Sequence, residues 1–518
     1  MPVIKPVNPE EFKKTIPDFI EKTKAFHEGT MNMKEYKGFS GKYGSYSQRG
    51  GKAHMLRLRM TAGEVTPDKL RFVVDTVKKH HVNKMHFTTC QTIQLHDLQP
   101  EDLYEIMDKA LDAGIVWYGG GGDYPRNVMC SPLSGTEEEY FDVMPYARAV
   151  ADFLIDFIDQ EKMPRKLKVG FSNNEKNISH ATFRDLGFVA RPDGHFDVYA
   201  AGGLGNNPRF GVLIDEDVDP RDILYDVEAF IRLFRKHGNY DNRAKARTRY
   251  LQETLQERLP EEFQKELAGL KQEKNLRMDD LDLHEVHKAP AGEPLEESFI
   301  VRAQKQPGLY TVMYHPKGGV PSIEVMEKLA DEIEKMEDVE LRLSPDEGSY
   351  IVNLTADEAR KILEIIKDEA AMNEFETSIG CIGASICQVG LRDSQQMLGK
   401  ILEAVKNADG IADNALPQVH ISGCTSSCGT HQIGKLGFRG GLKVVDKKPV
   451  PSFLMYAYGN DLQNEERMGR EIGMIPEAQV PAFLVDLGQQ ITKSGLSFDE
   501  WMESHPEGIE QAAAPYLI

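Results

Sequence analysis

The sequence predicts an α+β fold built on a duplicated ferredoxin-like α/β unit, with two further mixed α/β domains between and after the copies. Two observations carry this. Residues 54–115 run strand–helix–strand–helix, and residues 300–370 repeat that order at a spacing near 255 residues. The second observation is a stretch, CIGASIC followed by HISGCTSSCGTHQIGKLGF, that gathers four of the six cysteines between Cys381 and Cys428.

The elements follow in order. HMLRLRM alternates as a half-buried strand does, and PDKLRFVVDTVKKH reads as a helix with Pro67 at its start. KMHFTTCQTIQLHDL gives a second strand region, and PEDLYEIMDKALDAG a second helix. In the later copy GLYTVMYH, VELRL and SYIVNL are strand-like, while SIEVMEKLADEIEKM and ADEARKILEIIKDEA are helical. Strand–helix–strand–helix in so short a span is the ferredoxin-like pattern. The division is an N-terminal arm at 1–50, a first repeat at 51–118, an α/β domain at 119–290, a second repeat at 291–372 and a cysteine-bearing domain at 373–518. The charged segment NRAKARTRYLQETLQERLPEEFQKELAGLKQEK reads as helix throughout.

Composition excludes several classes. The net charge of −20 argues against a general nucleic-acid binder. No apolar run reaches membrane-spanning length, and MPVIKPVNPEEFKK lacks a signal-peptide core. Six cysteines among 518 residues do not make a disulfide scaffold. These features read as a cytoplasmic protein without membrane insertion.

Cys381 and Cys387 are separated by five residues, and Cys424 and Cys428 by three. Four thiolates brought together suit an iron–sulfur cluster or a zinc ion. Gly380, Gly383, Gly423 and Gly429 flank them and let the backbone turn tightly around a bulky ligand. The wide first gap favours a cluster over a zinc knuckle. A non-catalytic protein holding structural zinc through four cysteines is the alternative of another class.

Cys-x5-Cys followed by Gly-Cys-x3-Cys-Gly resembles the signature of the assimilatory sulfite and nitrite reductases. The resemblance implies siroheme and a 4Fe–4S cluster as cofactors, with Cys428 shared between them. It implies a fold in which two siroheme and cluster domains are related by pseudo-two-fold symmetry. It further implies catalytic cations at Arg57 in MLRLRM, Arg126 in PRNVMCS, and Lys166 and Lys168 in PRKLK. Arg59 shares a strand face with Arg57, as Lys166 does with Lys168. For siroheme carboxylates the resemblance points to Lys245 and Arg249 on one helix face, to Arg165 and to Gln94.

Sulfite reduced to sulfide by six electrons is the implied activity, with nitrite reduced to ammonia as the alternative. The resemblance implies that sulfite reductases keep a lysine where Lys168 stands and plant-type nitrite reductases have asparagine, and an added cation suits a doubly charged anion. No nucleotide-binding Gly-rich motif is visible, so electrons come from a separate ferredoxin or flavoprotein. The chain departs from the family where His86 and Cys90 replace arginines, where SPDEGSY replaces an Asn-Gln-Asn-like loop, and where the second cysteine loop reads Cys-Thr-Ser-Ser-Cys. Cys90 and Cys130 read as buried free thiols.

Overall fold

The computed structural model describes residues 3–5, 7–160, 162–283 and 285–518. They form a mixed α/β molecule whose main strands lie in four sheets. The two ferredoxin-like units have matching parts. Strands His54–Arg59, Lys84–Phe87 and Thr92–Leu98 correspond to Leu309–Tyr314, Glu340–Leu343 and Ser349–Thr355. Helices Pro67–Lys79 and Ile323–Ile333 begin alike, with Thr66 and Ser322 accepting a backbone N–H three residues on. The short strand Glu64–Val65 leaves its own copy and joins the other sheet, with Val65 opposite Leu341. A single apolar core therefore runs through both copies.

The other two sheets also match. Met129–Cys130, Val169–Ser172 and Leu186–Ala190 are parallel neighbours, and Phe196–Ala200 and Val212–Val218 extend them antiparallel. Ile379–Gly380, Val419–Ser422, Leu436–Val445, Lys448–Ala457 and Arg470–Pro476 repeat that order and those directions. Val169 pairs with Leu186 as Val419 pairs with Leu436, so the register repeats after 250 residues. Gly187 and Gly437 are required by the same contact. A Cβ on either would lie 1.8 or 1.9 Å from the carbonyl oxygen of Ala181 or His431.

Three features differ from the sequence reading. Residues 1–50 contain helices Pro9–Lys13, Ile16–His27 and Met33–Ser40, whose Phe12, Ile16 and Phe19 enter the shared core. Asn242–Tyr250 is not continuous helix; it makes two 3₁₀ turns around an extended Arg247, and regular helix resumes at Leu251–Thr254 and Leu259–Glu273. Lys166 and Lys168 precede the strand that starts at Val169, with Leu167 making one bridge to Pro125. Leu186–Ala190, Arg470–Pro476 and helix Val480–Ser494 were not legible as elements.

Candidate active site

The cysteine loops hang from parallel strands. Cys381 follows Ile379–Gly380, and its N–H donates to the Ile421 carbonyl at 3.1 Å. Its sulfur accepts the Gly423 N–H at 3.2 Å and lies 3.0 Å from Ser394 Oγ, at the start of helix Ser394–Asn407. Cys424 and Cys428 follow Val419–Ser422 in a loop that turns at Ser427, where φ is +53°. Gly429 then passes so close to Ile421 that a Cβ would lie 2.2 Å from its carbonyl oxygen. Burial and the nearby Cys428 push the Cys381 thiol up to about 12. Cys428 has Cys387, Cys424, Lys166 and Lys168 among its ionisable neighbours, and its own thiol is raised chiefly by its depth in the protein. Its side chain is nevertheless accessible, because it opens into a hollow.

Cations line that hollow. Arg57 donates to the Gly120 carbonyl, and Arg126 donates to Gly120 and Gly122, both at 2.8 Å. Gln94 lies opposite Arg57 across the sheet; with its amide oxygen turned toward Arg57 Nη2 it accepts at 2.8 Å, and its amide nitrogen reaches His96 at 3.2 Å. Lys166 and Lys168 are half-buried and make no ion pair with a carboxylate among the described residues. Desolvation, with Lys168, Arg247 and Arg126 close by, holds the Lys166 ammonium well below the ordinary lysine range. Desolvation also lowers Arg126 to about 10, Arg57 adding to the effect. The structure thus brings Arg57, Arg126, Lys166, Lys168 and Cys428 around one space. Arg59, on the same strand face as Arg57, is buried and holds the loop by donating to the carbonyls of Tyr118, Pro125 and Arg126.

The expected carboxylate-binding residues separate. Arg249 is buried, donating to the Asn206 carbonyl at 2.6 and 3.0 Å. Lys245 is exposed, 3.5 Å from Glu253, in a surface group with Asn207 and Arg209. The two do not share a helix face, because the backbone between them is extended. Arg165 pairs with Asp123, which also binds Arg243 at 2.6 Å. Arg247 is the unforeseen neighbour: it grips Asp185 with two 3.0 Å bonds and faces Lys166. An alternation by two through Lys245, Arg247 and Arg249 was the available signal. Arg184 and Tyr46 were also missed; the Tyr46 hydroxyl accepts the Gly122 N–H at 2.6 Å beside Arg126 and Arg57.

Cys130 is a buried thiol, raised well above its ordinary range by burial. Cys90 is not fully enclosed. It sits half-buried at a hairpin tip, where Lys168, Arg184 and Arg57 overcome desolvation and lower its thiol to about 6. His86 is buried with neither ring nitrogen hydrogen-bonded, 3.6 Å from Glu347. Burial and nearby Lys84 and Arg57 keep it neutral, its pKa lowered to about 3.

The frame and the site together define an iron–sulfur oxidoreductase. A family described as the nitrite and sulphite reductase 4Fe-4S domain matches residues 121–274, and the nitrite/sulfite reductase ferredoxin-like half domain matches residues 46–113. Over these two segments the chain is similar to nitrite and sulfite reductases. It is 24% identical to the assimilatory ferredoxin-dependent nitrite reductase of Haloferax mediterranei, covering 91% of this chain and 86% of that one. It is also 24% identical to the sulfite reductase [NADPH] hemoprotein beta-component of Bacillus subtilis, covering 74% and 73%. The Mycobacterium tuberculosis NirA structure shares the fold, with a TM-score of 0.77, 20% identity and 98% of each chain covered.

Siroheme and a 4Fe–4S cluster are the cofactors of the family, and the residues present fit them. A tetrahedral zinc ion would draw four sulfurs to roughly 3.8 Å of one another, given Zn–S bonds near 2.3 Å. Among the described residues no three of these cysteine sulfurs lie mutually within 4.8 Å. The spacing suits a larger inorganic core and argues against the structural-zinc reading. Buried guanidinium nitrogens of Arg126, Arg247 and Arg249 have no hydrogen-bond acceptor, as expected of donors awaiting carboxylates. Gly203 and Gly205, at φ +147° and +109°, bring bare backbone beside Arg247 and Arg249.

Proposed function

We propose that this chain reduces sulfite to sulfide, with Arg57, Arg126, Lys166 and Lys168 as the catalytic cations and Cys381, Cys387, Cys424 and Cys428 as the cluster ligands. Cys428 is the ligand that meets the siroheme, and Gln94, Arg165 and Arg249 serve its carboxylates; Lys245, at the surface, contributes least. The observation that carries the reading is the pair of lysine ammoniums without carboxylate partners beside Cys428. When bound, the two cofactors supply the electrons and an open iron position. The chain supplies the rest. Its four cations hold a small oxyanion at fixed points and favour charge that builds as oxygen departs. Lys166, its proton loosened by burial and then by neighbouring cations, supplies one of the two protons with which a departing oxygen leaves as water.

Nitrite is the second reading, and Cys90 favours it. A thiolate beside Lys168 offsets one positive charge, so above pH 6 the hollow suits a monoanion better than a dianion. Lys168→Asn decides between them. It should lower kcat/KM for sulfite tenfold or more, about 1.4 kcal/mol of transition-state stabilisation, and lower that for nitrite less. Equal losses, or a parent enzyme far more efficient with nitrite, would overturn the sulfite assignment. Cys90→Ala should raise sulfite kcat/KM relative to the parent above pH 6 and leave it unchanged below.

A further inference from the structure

An oxygen that leaves as water takes two protons, and Lys166 accounts for one. A second source lies beside the cations. Tyr46, on the short strand Ser45–Ser47, stands opposite Met55, and so faces the same side of the sheet as Arg57. The glycine run 119–122 closes over it. A Cβ on Gly121 would lie 2.6 Å from the Tyr46 hydroxyl oxygen, and one on Gly41 would lie 2.9 Å from it. Bare backbone here lets the phenol reach the loop that Arg57 and Arg126 also hold. The Tyr46 oxygen accepts the Gly122 N–H at 2.6 Å, while the two guanidiniums donate to the carbonyls of Gly120 and Gly122.

The hydroxyl's own proton is uncommitted. Among the described residues no carboxylate or carbonyl accepts it, and the ring is half-buried rather than enclosed. Tyr118 and Tyr456 differ. Each donates to a carboxylate at 2.9 Å, Asp159 or Glu471, and burial together with that carboxylate holds each phenol above its ordinary range. At Tyr46 burial pushes the same way, but Arg126, the Gly122 N–H and Arg57 outweigh it and bring the phenol below its ordinary range. Asp123 opposes them, with its charge shared between Arg165 and Arg243. The neighbouring Tyr124 stays above its ordinary range, chiefly through burial. A phenol with a stabilised anion and a free proton is equipped to act as a general acid.

We propose that Tyr46 is a further catalytic residue of this site, giving its hydroxyl proton to an oxygen of the anion held by Arg57 and Arg126. This rests on the reductase reading above. The phenol O–H bond breaks as a new O–H bond forms on the departing oxygen. The phenolate left behind keeps the Gly122 N–H and the two guanidiniums, and takes a proton back from solvent. Tyr46 gives up no electron; the reducing equivalents come through the cofactors.

The test uses the holoenzyme with reduced methyl viologen as electron source and sulfite or nitrite as substrate. Tyr46→Phe keeps the ring against the glycines and removes only the hydroxyl. It should lower kcat at least tenfold, with KM within threefold of the parent and iron content and visible spectrum unchanged. The hydroxyl works with its proton on, so kcat should fall as pH rises through its titration. Lys166 loses its proton in the same direction, so a second variant separates the two. A difluorinated tyrosine at position 46 has a more acidic phenol and should move the alkaline limb of kcat down by at least one pH unit. A Tyr46→Phe enzyme within twofold of the parent would overturn the proposal and leave the reductase reading standing. An alkaline limb that fluorination leaves in place would do the same. A parent that reduces neither anion would overturn the reductase reading, and the proposal with it.

Discussion

The two α/β sheets are the same frame put to different uses. Counted 250 residues back, Cys381, Cys387, Cys424 and Cys428 fall on Ser131, Glu137, Asn174 and Ile178. The strands on either side keep this register, and helices Met144–Ile155 and Ser394–Asn407 start at matching positions. The strained turns match as well, with positive φ at Asn177 and Ser427 and at His180 and Thr430. Where the second half presents sulfur, the first closes the space with a polar network. Glu137 accepts from Asn173 at 3.2 Å and Asn174 at 3.0 Å and pairs with Lys176. The backbone therefore sets where the loop points, and in the proposed reading four side chains decide whether it holds metal.

Replacing matched residues should break this comparison at the ligands and leave it intact at the frame. The largest difference should separate Cys428→Ser from Ile178→Ala. The first should abolish reductase activity, with a loss of 10³ or more, and strip iron and acid-labile sulfide from the protein. The second should retain full iron and lower stability by about 1–2 kcal/mol, a loss of partly buried apolar surface. Retained cluster in Cys428→Ser would show that the loop does not need its last thiol.

Gly187→Ala and Gly437→Ala should behave as a pair. Each forces a methyl against a backbone oxygen, and each should cost about 3 kcal/mol or more in thermal unfolding. A large cost in one half alone would mean that the halves do not share a frame. A smaller effect belongs to Glu137→Gln, which removes the charge opposite Lys176 but keeps most hydrogen bonds. Since Lys176 is about half exposed, the expected change is under about 1 kcal/mol, with iron content unchanged.

Much of this was legible in sequence, for identifiable reasons. The cysteine spacing and the linear runs MLRLRM, PRNVMCS and PRKLK place chemistry on short segments, which sequence reports directly. The ferredoxin-like duplication showed because its helices and strands keep their periodicity. The second duplication was expected only through the family resemblance, not from a pattern in the residues. Its halves share few residues, among them Ser172 with Ser422 and Leu186-Gly187-Phe188 with Leu436-Gly437-Phe438, and the rest is visible only as register. Contacts across the fold were also hidden. Arg49 meets Cys387 across 338 residues, and Arg184 reaches the hollow from a loop that no pattern marks. The misread Asn242–Tyr250 is a competition between helix-forming charges and tertiary demand. An extended backbone let Arg247 reach Asp185 and Arg249 turn inward, and that outweighed local propensity.

The central claim is that only the second half of this frame is armed, through four thiols around a core larger than one ion. The most direct test is iron and acid-labile sulfide analysis of the purified holoenzyme, read with its visible absorption spectrum. About five irons and four sulfides per chain, with a tetrapyrrole band, are expected for a cluster plus one macrocycle. A colourless chain carrying a single zinc ion would contradict the account.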